Sequence, residues 1–189
     1  MENIARYLFE AGMLKHVKRS GWWACKIKDP ESVAEHTFRA AVVAFMLAKL
    51  EGEEDEIANK LCSAAVFHDM HETRVLDLNK IVARYIDRQE EISKKVENDQ
   101  IGLLPENAQN ALKNIIFNLS EREKVILKDA DLLELATQAK EYLECGYKDC
   151  EGWIENIEKR LKTKSAKALL VQIKKTDSKE WYVGLKKLD

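Results

Sequence analysis

A chain of 189 residues, 46% apolar and 34% charged, is long enough for one domain with a buried core and too apolar for disorder. Its net charge of −2 offers no basic field for a polyanion, which argues against nucleic-acid binding. Seven glycines and two prolines give too little punctuation for a many-turned β-fold and favour long helices.

The N-terminus lacks the basic and apolar regions of a secretion signal, and the longest apolar run, residues 40–48, is too short for a bilayer. No membrane partner and a cytoplasmic location are therefore expected. The four cysteines, Cys25, Cys62, Cys145 and Cys150, show no disulfide-framework spacing. Cys145 and Cys150 have no second pair with which to complete a zinc site.

In chain order, residues 3–16 read as a short amphipathic helix, with Ile4, Leu8 and Met13 near helical spacing. Residues 18–30 read as a loop holding Gly21, Trp22, Trp23 and Pro30. The basic residues around it (Lys15, Lys18, Arg19, Lys26 and Lys28) suit a small phosphate ester, or simply a solvated loop. Ser32-x-x-Glu35 is a capping box that opens a helix over residues 33–50. This helix is apolar on nearly all sides and is expected to be central and buried.

Residues 54–69 form the next expected helix, with Ile57, Leu61, Ala64, Ala65 and His68 along one stripe. A turn with a short helical piece follows over 71–79, then a polar surface helix over 87–100. Residues 105–118 read as a helix with Pro105 near its first turn. Ser120-x-x-Glu123 is a second capping box, opening a long helix that runs to about Cys145 and stops at Gly146. Two closing helices are expected over 153–162 and 165–175. No stretch alternates with period two, so the fold class is all-α.

Of the four histidines, two occupy unexpected places. His36 lies in the first turn of the most apolar helix. His68 ends an apolar stripe and is followed directly by Asp69. Burying imidazole and carboxylate together is costly unless a partner compensates, and a divalent cation accepts this mixture of ligands. A third helix offers another carboxylate: Asp131 shares a face with Leu127 and Leu135, Asp129 with Val125 and Leu133, and periodicity does not choose between them. The plain alternative is a pair of hydrogen-bonded core histidines and exposed aspartates.

His36, His68-Asp69 and Asp131 together resemble the H…HD…D signature of the HD-domain metal-dependent phosphohydrolases. Four words sharpen the likeness: Arg19-Ser-Gly-Trp22, Pro30-Glu-Ser-Val-Ala-Glu-His36, Phe67-His-Asp-Met-His-Glu72 and Lys128-Asp-Ala-Asp131. They resemble the 5′-deoxynucleotidase branch, whose members are small single-domain proteins, and the likeness spans about residues 4–147.

The resemblance implies an HD-domain helical bundle over residues 1–189. Its metal-binding core covers about 32–147 and its C-terminal helices 150–184. It also implies one divalent cation on His36, His68, Asp69 and Asp131, the second Asp of the D-A-D word being the ligand. Mn²⁺, Co²⁺, Mg²⁺ and Zn²⁺ all suit such ligands. Glu72 and Asp77 match the acid/base positions, Arg19 the phosphate-binding arginine, and Trp22 the aromatic near the sugar. Ser20 stands where threonine is common, and Trp23 competes with Trp22.

The expected reaction is hydrolysis of a small nucleotide, a deoxynucleoside 5′-monophosphate, to nucleoside and phosphate. After the HD pair only His71 follows, which speaks against the multi-metal diesterases. A hydrolase acting on dNTPs or guanosine tetraphosphate is the second reading, disfavoured by short length and a single obvious phosphate arginine. A non-catalytic metal-binding helical module is the third, disfavoured by retention of Arg19, Glu72 and Asp77. A homodimer is expected from the prevalence of symmetric pairs and from aromatic residues such as Trp153 and Trp181 in the closing segment.

Overall fold

The computed structural model describes residues 1–183 and Leu185. Gly184 and residues 186–189, the end of the expected closing segment, lie outside the described residues. Among the described residues the helices are α1 (Glu2–Gly12), α2 (Val33–Leu50), α3 (Asp55–Phe67), α4 (Glu72–Val75), α5 (Gln89–Ile101), α6 (Glu106–Phe117), α7 (Glu121–Glu144), α8 (Glu151–Glu158) and α9 (Lys164–Lys175). They contain no strand; β-type pairing is confined to an isolated bridge between Lys18 and Ser32.

Both capping boxes form. At α2 the Ser32 hydroxyl accepts the Glu35 backbone N–H at 3.2 Å, and the Glu35 carboxylate accepts the Ser32 N–H at 2.6 Å. At α7 Ser120 and Glu123 make the same exchange, at 3.2 and 2.6 Å. Each box satisfies two backbone donors that a helix start otherwise leaves without partners. At the other end of α7, Gly146 takes φ of +99°, a left-handed turn that favours glycine.

α2 packs against α3 and α7, and α7 also carries α8 and α9. The main core joins these five helices through Leu47, Leu61, Ile126, Leu133, Ile157 and Leu170, each at most 2% exposed. A side chain of this size, fully buried, contributes about 1.5–3 kcal/mol. A second core, with Tyr7, Leu14, Val33, Met70, Ile101 and Leu112, fastens α1, α5 and α6 near the start of α2.

Several boundaries differ from expectation, and the expected loop over residues 18–30 holds a 3₁₀ helix, Ser20–Cys25. The first helix ends at Gly12 and tightens into a 3₁₀ turn, Met13–Lys15. Pro105, next to the first turn, is the N-cap of α6, so the helix proper opens at Glu106. α8 stops at Glu158 instead of reaching residue 162, and the backbone N–H groups of Lys162 and Thr163 donate to the Asp129 carboxylate.

α2 is central but not buried all round. α3 and α7 cover part of its surface, while Phe38, Val42, Met46 and Leu50, spaced four apart, remain exposed, Phe38 by 74%. No helix among the described residues is long and apolar enough to cross a membrane.

Candidate active site

Three chain segments converge at the junction of α2, α3 and α7. His36 sits in the first turn of α2, where the capping box sets the helix start and hence the direction of the ring. His68 is the C-cap of α3. Asp69 follows it in a tight turn, closed by the Glu72 N–H donating to the Asp69 carbonyl at 3.0 Å. Asp131 projects from the middle of α7.

His36 is fully buried, and its Nε2 has no hydrogen-bond partner. That atom lies 3.7 Å from Asp69 Oδ2 and 3.4 Å from Asp131 Oδ1. His68 Nε2 is 3.2 Å from the same Asp69 oxygen. The other ring nitrogens are already occupied: His68 Nδ1 meets the Ala65 carbonyl at 2.6 Å, and His36 Nδ1 meets the Glu134 carboxylate. Both Nε2 atoms are therefore left facing carboxylate oxygens, a donor set that suits a divalent cation. The orphaned, buried Nε2 of His36 is the observation that makes the fit specific.

Electrostatics point the same way. Burial works against charge on His36, yet the nearby Asp131 and Glu134 carboxylates raise its pKa to about 10. Burial likewise opposes charge on Asp131, but His36 and Lys128 hold its carboxyl well below the usual range. The cluster draws positive charge to itself.

Asp129 is separated from this group. It is 1% exposed and accepts backbone N–H bonds from Lys162 and Thr163, tying α7 to the α8–α9 connection. His71 lies 3.4 Å from Glu97 on α5, away from the cluster, and His16 is on the surface. Cys145 is exposed and Cys150 is buried beside Cys25, so the two do not share a site.

Above the cluster opens a cavity of about 820 Å³. Arg19 lines it, with Nη1 3.5 Å from Asp69 and 3.3 Å from Asp77. Burial disfavours the guanidinium charge, but Asp69 and Asp77 more than restore it and raise the pKa. Asp77 braces this turn from several sides: its carboxylate accepts the Ser20 N–H at 2.5 Å, and its carbonyl accepts the Ser20 hydroxyl at 2.7 Å. Ser20 thus keeps a hydroxyl at a place where the turn needs one.

Trp22 and Trp23 both line the cavity, differently. Trp22 is 1% exposed, donates from Nε1 to Glu31 at 3.0 Å and stacks on Trp153 at 4.6 Å between centroids. Trp23 is exposed. Glu72, at the start of α4, is buried on the cavity wall with Oε2 unpartnered. Burial, then the charges of Asp69 and Asp77, push its carboxyl up to about 9.

Sequence reasoning missed two groups. Glu134 and Arg39 support His36 from behind. Their signal was present: Arg39 is a charge inside the apolar α2 run, one turn after His36, and Glu134 follows Asp131 by three. Lys80, Lys128 and Arg160 also line the cavity, so Arg19 is not its sole cation.

Comparison with known proteins finds relatives over most of the chain. The HD domain family model matches residues 11–174. A Bos taurus protein named 5′-deoxynucleotidase HDDC2 is 33% identical over 147 residues, covering 74% of this chain and 68% of that one. A predicted coding region from Archaeoglobus fulgidus superposes with a TM-score of 0.66 at 32% identity, over 96% of this chain and 100% of that one. A cyanophage S-2L HD phosphohydrolase, bound to dA and one catalytic Zn²⁺ ion, shares the fold with a TM-score of 0.57 at 19% identity, over 89% of this chain and 96% of that one.

Proposed function

The chain belongs to the HD domain family, and on that premise we propose that it is a metal-dependent 5′-deoxynucleotidase, converting deoxynucleoside 5′-monophosphates and water to nucleoside and phosphate. The observation that carries this reading is the unpartnered Nε2 of buried His36, facing Asp69 and Asp131 beneath a cavity lined by Arg19 and Glu72.

In this reading His36, His68, Asp69 and Asp131 hold one divalent cation. When bound, it polarises the phosphoryl group and makes nearby water more acidic. Arg19 grips phosphate oxygens through its planar donors, and Asp77 keeps that guanidinium and the Ser20 turn in place. Glu72, protonated at neutral pH, gives its proton to the 5′ oxygen of the sugar as the old P–O bond breaks, and the carboxylate so formed takes up the proton that the attacking water loses as the new P–O bond forms. Trp22, buried and stacked against Trp153, shapes the cavity wall near the deoxyribose, and Trp23 lies at the exposed edge.

A triphosphohydrolase reading has one observation in its favour: Lys80, Lys128 and Arg160 join Arg19 around the cavity and suit further phosphates. Products separate the two. Metal-free protein, reloaded with each of Mn²⁺, Co²⁺, Mg²⁺ and Zn²⁺, is expected to release phosphate from dNMPs. Silence on monophosphates, with pyrophosphate or triphosphate released from dNTPs, would move the protein to the second reading.

The proposal has further features. The substrate is a small molecule rather than a nucleic acid, and the location is cytoplasmic. The exposed stripe Phe38, Val42 and Met46 on α2 supports a homodimer, since a symmetric pair would cover it twice. Residues 1–189 act as one domain, with α8 and α9 sharing the main core with the α2–α7 site helices.

A further inference from the structure

Glu134 is fully buried on α7, yet it lines no part of the cavity. One of its oxygens meets His36 Nδ1 and the other accepts Arg39 Nε at 2.9 Å. Arg39 is held in turn by Gln138 at 2.6 Å and Glu141 at 2.7 Å, both also on α7. Each oxygen of this carboxylate thus has a distinct partner, and both partners come from α2.

We propose that Glu134 is a positioning residue for the metal centre, fixing the His36 ring so that Nε2 is the atom offered to the cation. The inference rests on the active-site reading above and adds a residue to it. Ligating a cation requires the neutral imidazole, which carries one N–H. The Glu134 carboxylate can only accept, so it selects the form with the proton on Nδ1 and the lone pair on Nε2. The opposite form sets a lone pair against a buried carboxylate and points N–H at the cation position. A carboxylate behind the ring also makes the ligating nitrogen more basic. Because Asp131 and Glu134 lie three residues apart on α7, one helix supplies both a ligand and the brace for a ligand on α2. The docking of α7 on α2 therefore sets the His36–Asp131 relationship at two points.

This arrangement makes Glu134→Gln informative. Arg39 Nε still demands an acceptor, so the amide oxygen turns to it and the amide NH₂ faces Nδ1. That NH₂ favours the wrong ring form while leaving the side-chain shape intact.

Zinc affinity, measured by competition with a chromogenic chelator, is compared in the parent, Glu134→Gln, Glu141→Gln and His36→Ala proteins. The expected result is an about 10- to 100-fold loss in Glu134→Gln, a larger loss in His36→Ala, and parent-like affinity in Glu141→Gln, which likewise removes a negative charge facing Arg39. Histidine-labelled ¹⁵N spectra of the zinc-loaded parent give an independent reading that needs no variant. They are expected to show His36 protonated at Nδ1 and metal-bound through Nε2. Parent-like zinc affinity in Glu134→Gln, or zinc on Nδ1, overturns the inference. If His36→Ala also keeps parent affinity, the active-site reading falls with it; if His36→Ala alone loses zinc, only the role of Glu134 falls.

Discussion

Gly21 and Trp153 approach so closely that a Cβ built on Gly21 would lie 2.9 Å from Cη2 of the indole. The glycine of the R-x-G-W word is thus required by a contact with a residue far along the chain, on α8. Trp153 in turn stacks on Trp22, which leaves the indole little room to retreat. Gly21→Ala is expected to cost about 1–3 kcal/mol of stability, the usual range for overpacking. In a Trp153→Ala background the same substitution is expected to cost much less. A double-mutant cycle on urea midpoints measures the difference. Equal costs in both backgrounds would mean that the contact does not constrain the turn.

Asp129 and Asp131 are neighbours in sequence with separate employment. Asp129→Ala removes the acceptor for the Lys162 and Thr163 N–H groups and is expected to destabilise the fold by about 1–3 kcal/mol. Its metal affinity should stay near that of the parent. Asp131→Ala is expected to act on the metal instead: metal binding falls sharply, and added cation no longer raises the unfolding temperature. Thermal unfolding with and without added cation distinguishes the two.

Glu72→Gln keeps size and hydrogen-bonding reach but cannot take a proton. Phosphate release from dNMPs is expected to fall about 10²- to 10⁴-fold, the usual contribution of general acid–base catalysis. Metal affinity should persist. Arg19→Lys keeps the charge and loses the planar fork, so its main effect should be on kcat/KM, about 10- to 100-fold. Treatment with a chelator should silence the parent, and readdition of a divalent cation should restore it. Unaltered turnover in Glu72→Gln would remove Glu72 from the proton-transfer role.

Stability should fall in acid partly through Glu10, which clamps α1 to α4 and α5. Its carboxylate accepts from Arg74 Nε at 2.6 Å, Arg74 Nη2 at 2.9 Å and Gln100 Nε2 at 2.7 Å. The Arg74 hydrogen bonds, with help from Gln100, hold its pKa below the ordinary 4.5. The unfolded chain therefore takes up this proton first. The stabilisation is complete above pH 4.5 and is lost as pH falls through the lower folded value. Glu10→Gln should be less stable than the parent at neutral pH and show a shallower loss on acidification. Parallel pH–stability curves for the two proteins would exclude Glu10 as a contributor.

The sequence alone determined the features governed by groups within a turn or two of one another. Ser32 with Glu35, and Ser120 with Glu123, marked the starts of α2 and α7 to the residue, because a capping box is closed by side chains three positions apart. The all-α class followed from the same local signals, and the family words carried the family and the list of site residues to examine. Tertiary structure decided what depends on how helices dock. Periodicity alone placed Asp129 and Asp131 equally well on apolar faces; packing gave Asp129 to two backbone N–H groups and set Asp131 beside His36. An apolar α2 read as buried, but the number of helices that reach it left Phe38, Val42 and Met46 bare. Glu134 and Arg39 carried no role until α7 lay against α2. Local backbone chemistry is written in neighbouring residues, whereas a contact across 98 residues, such as His36 with Glu134, exists only once the helices are packed.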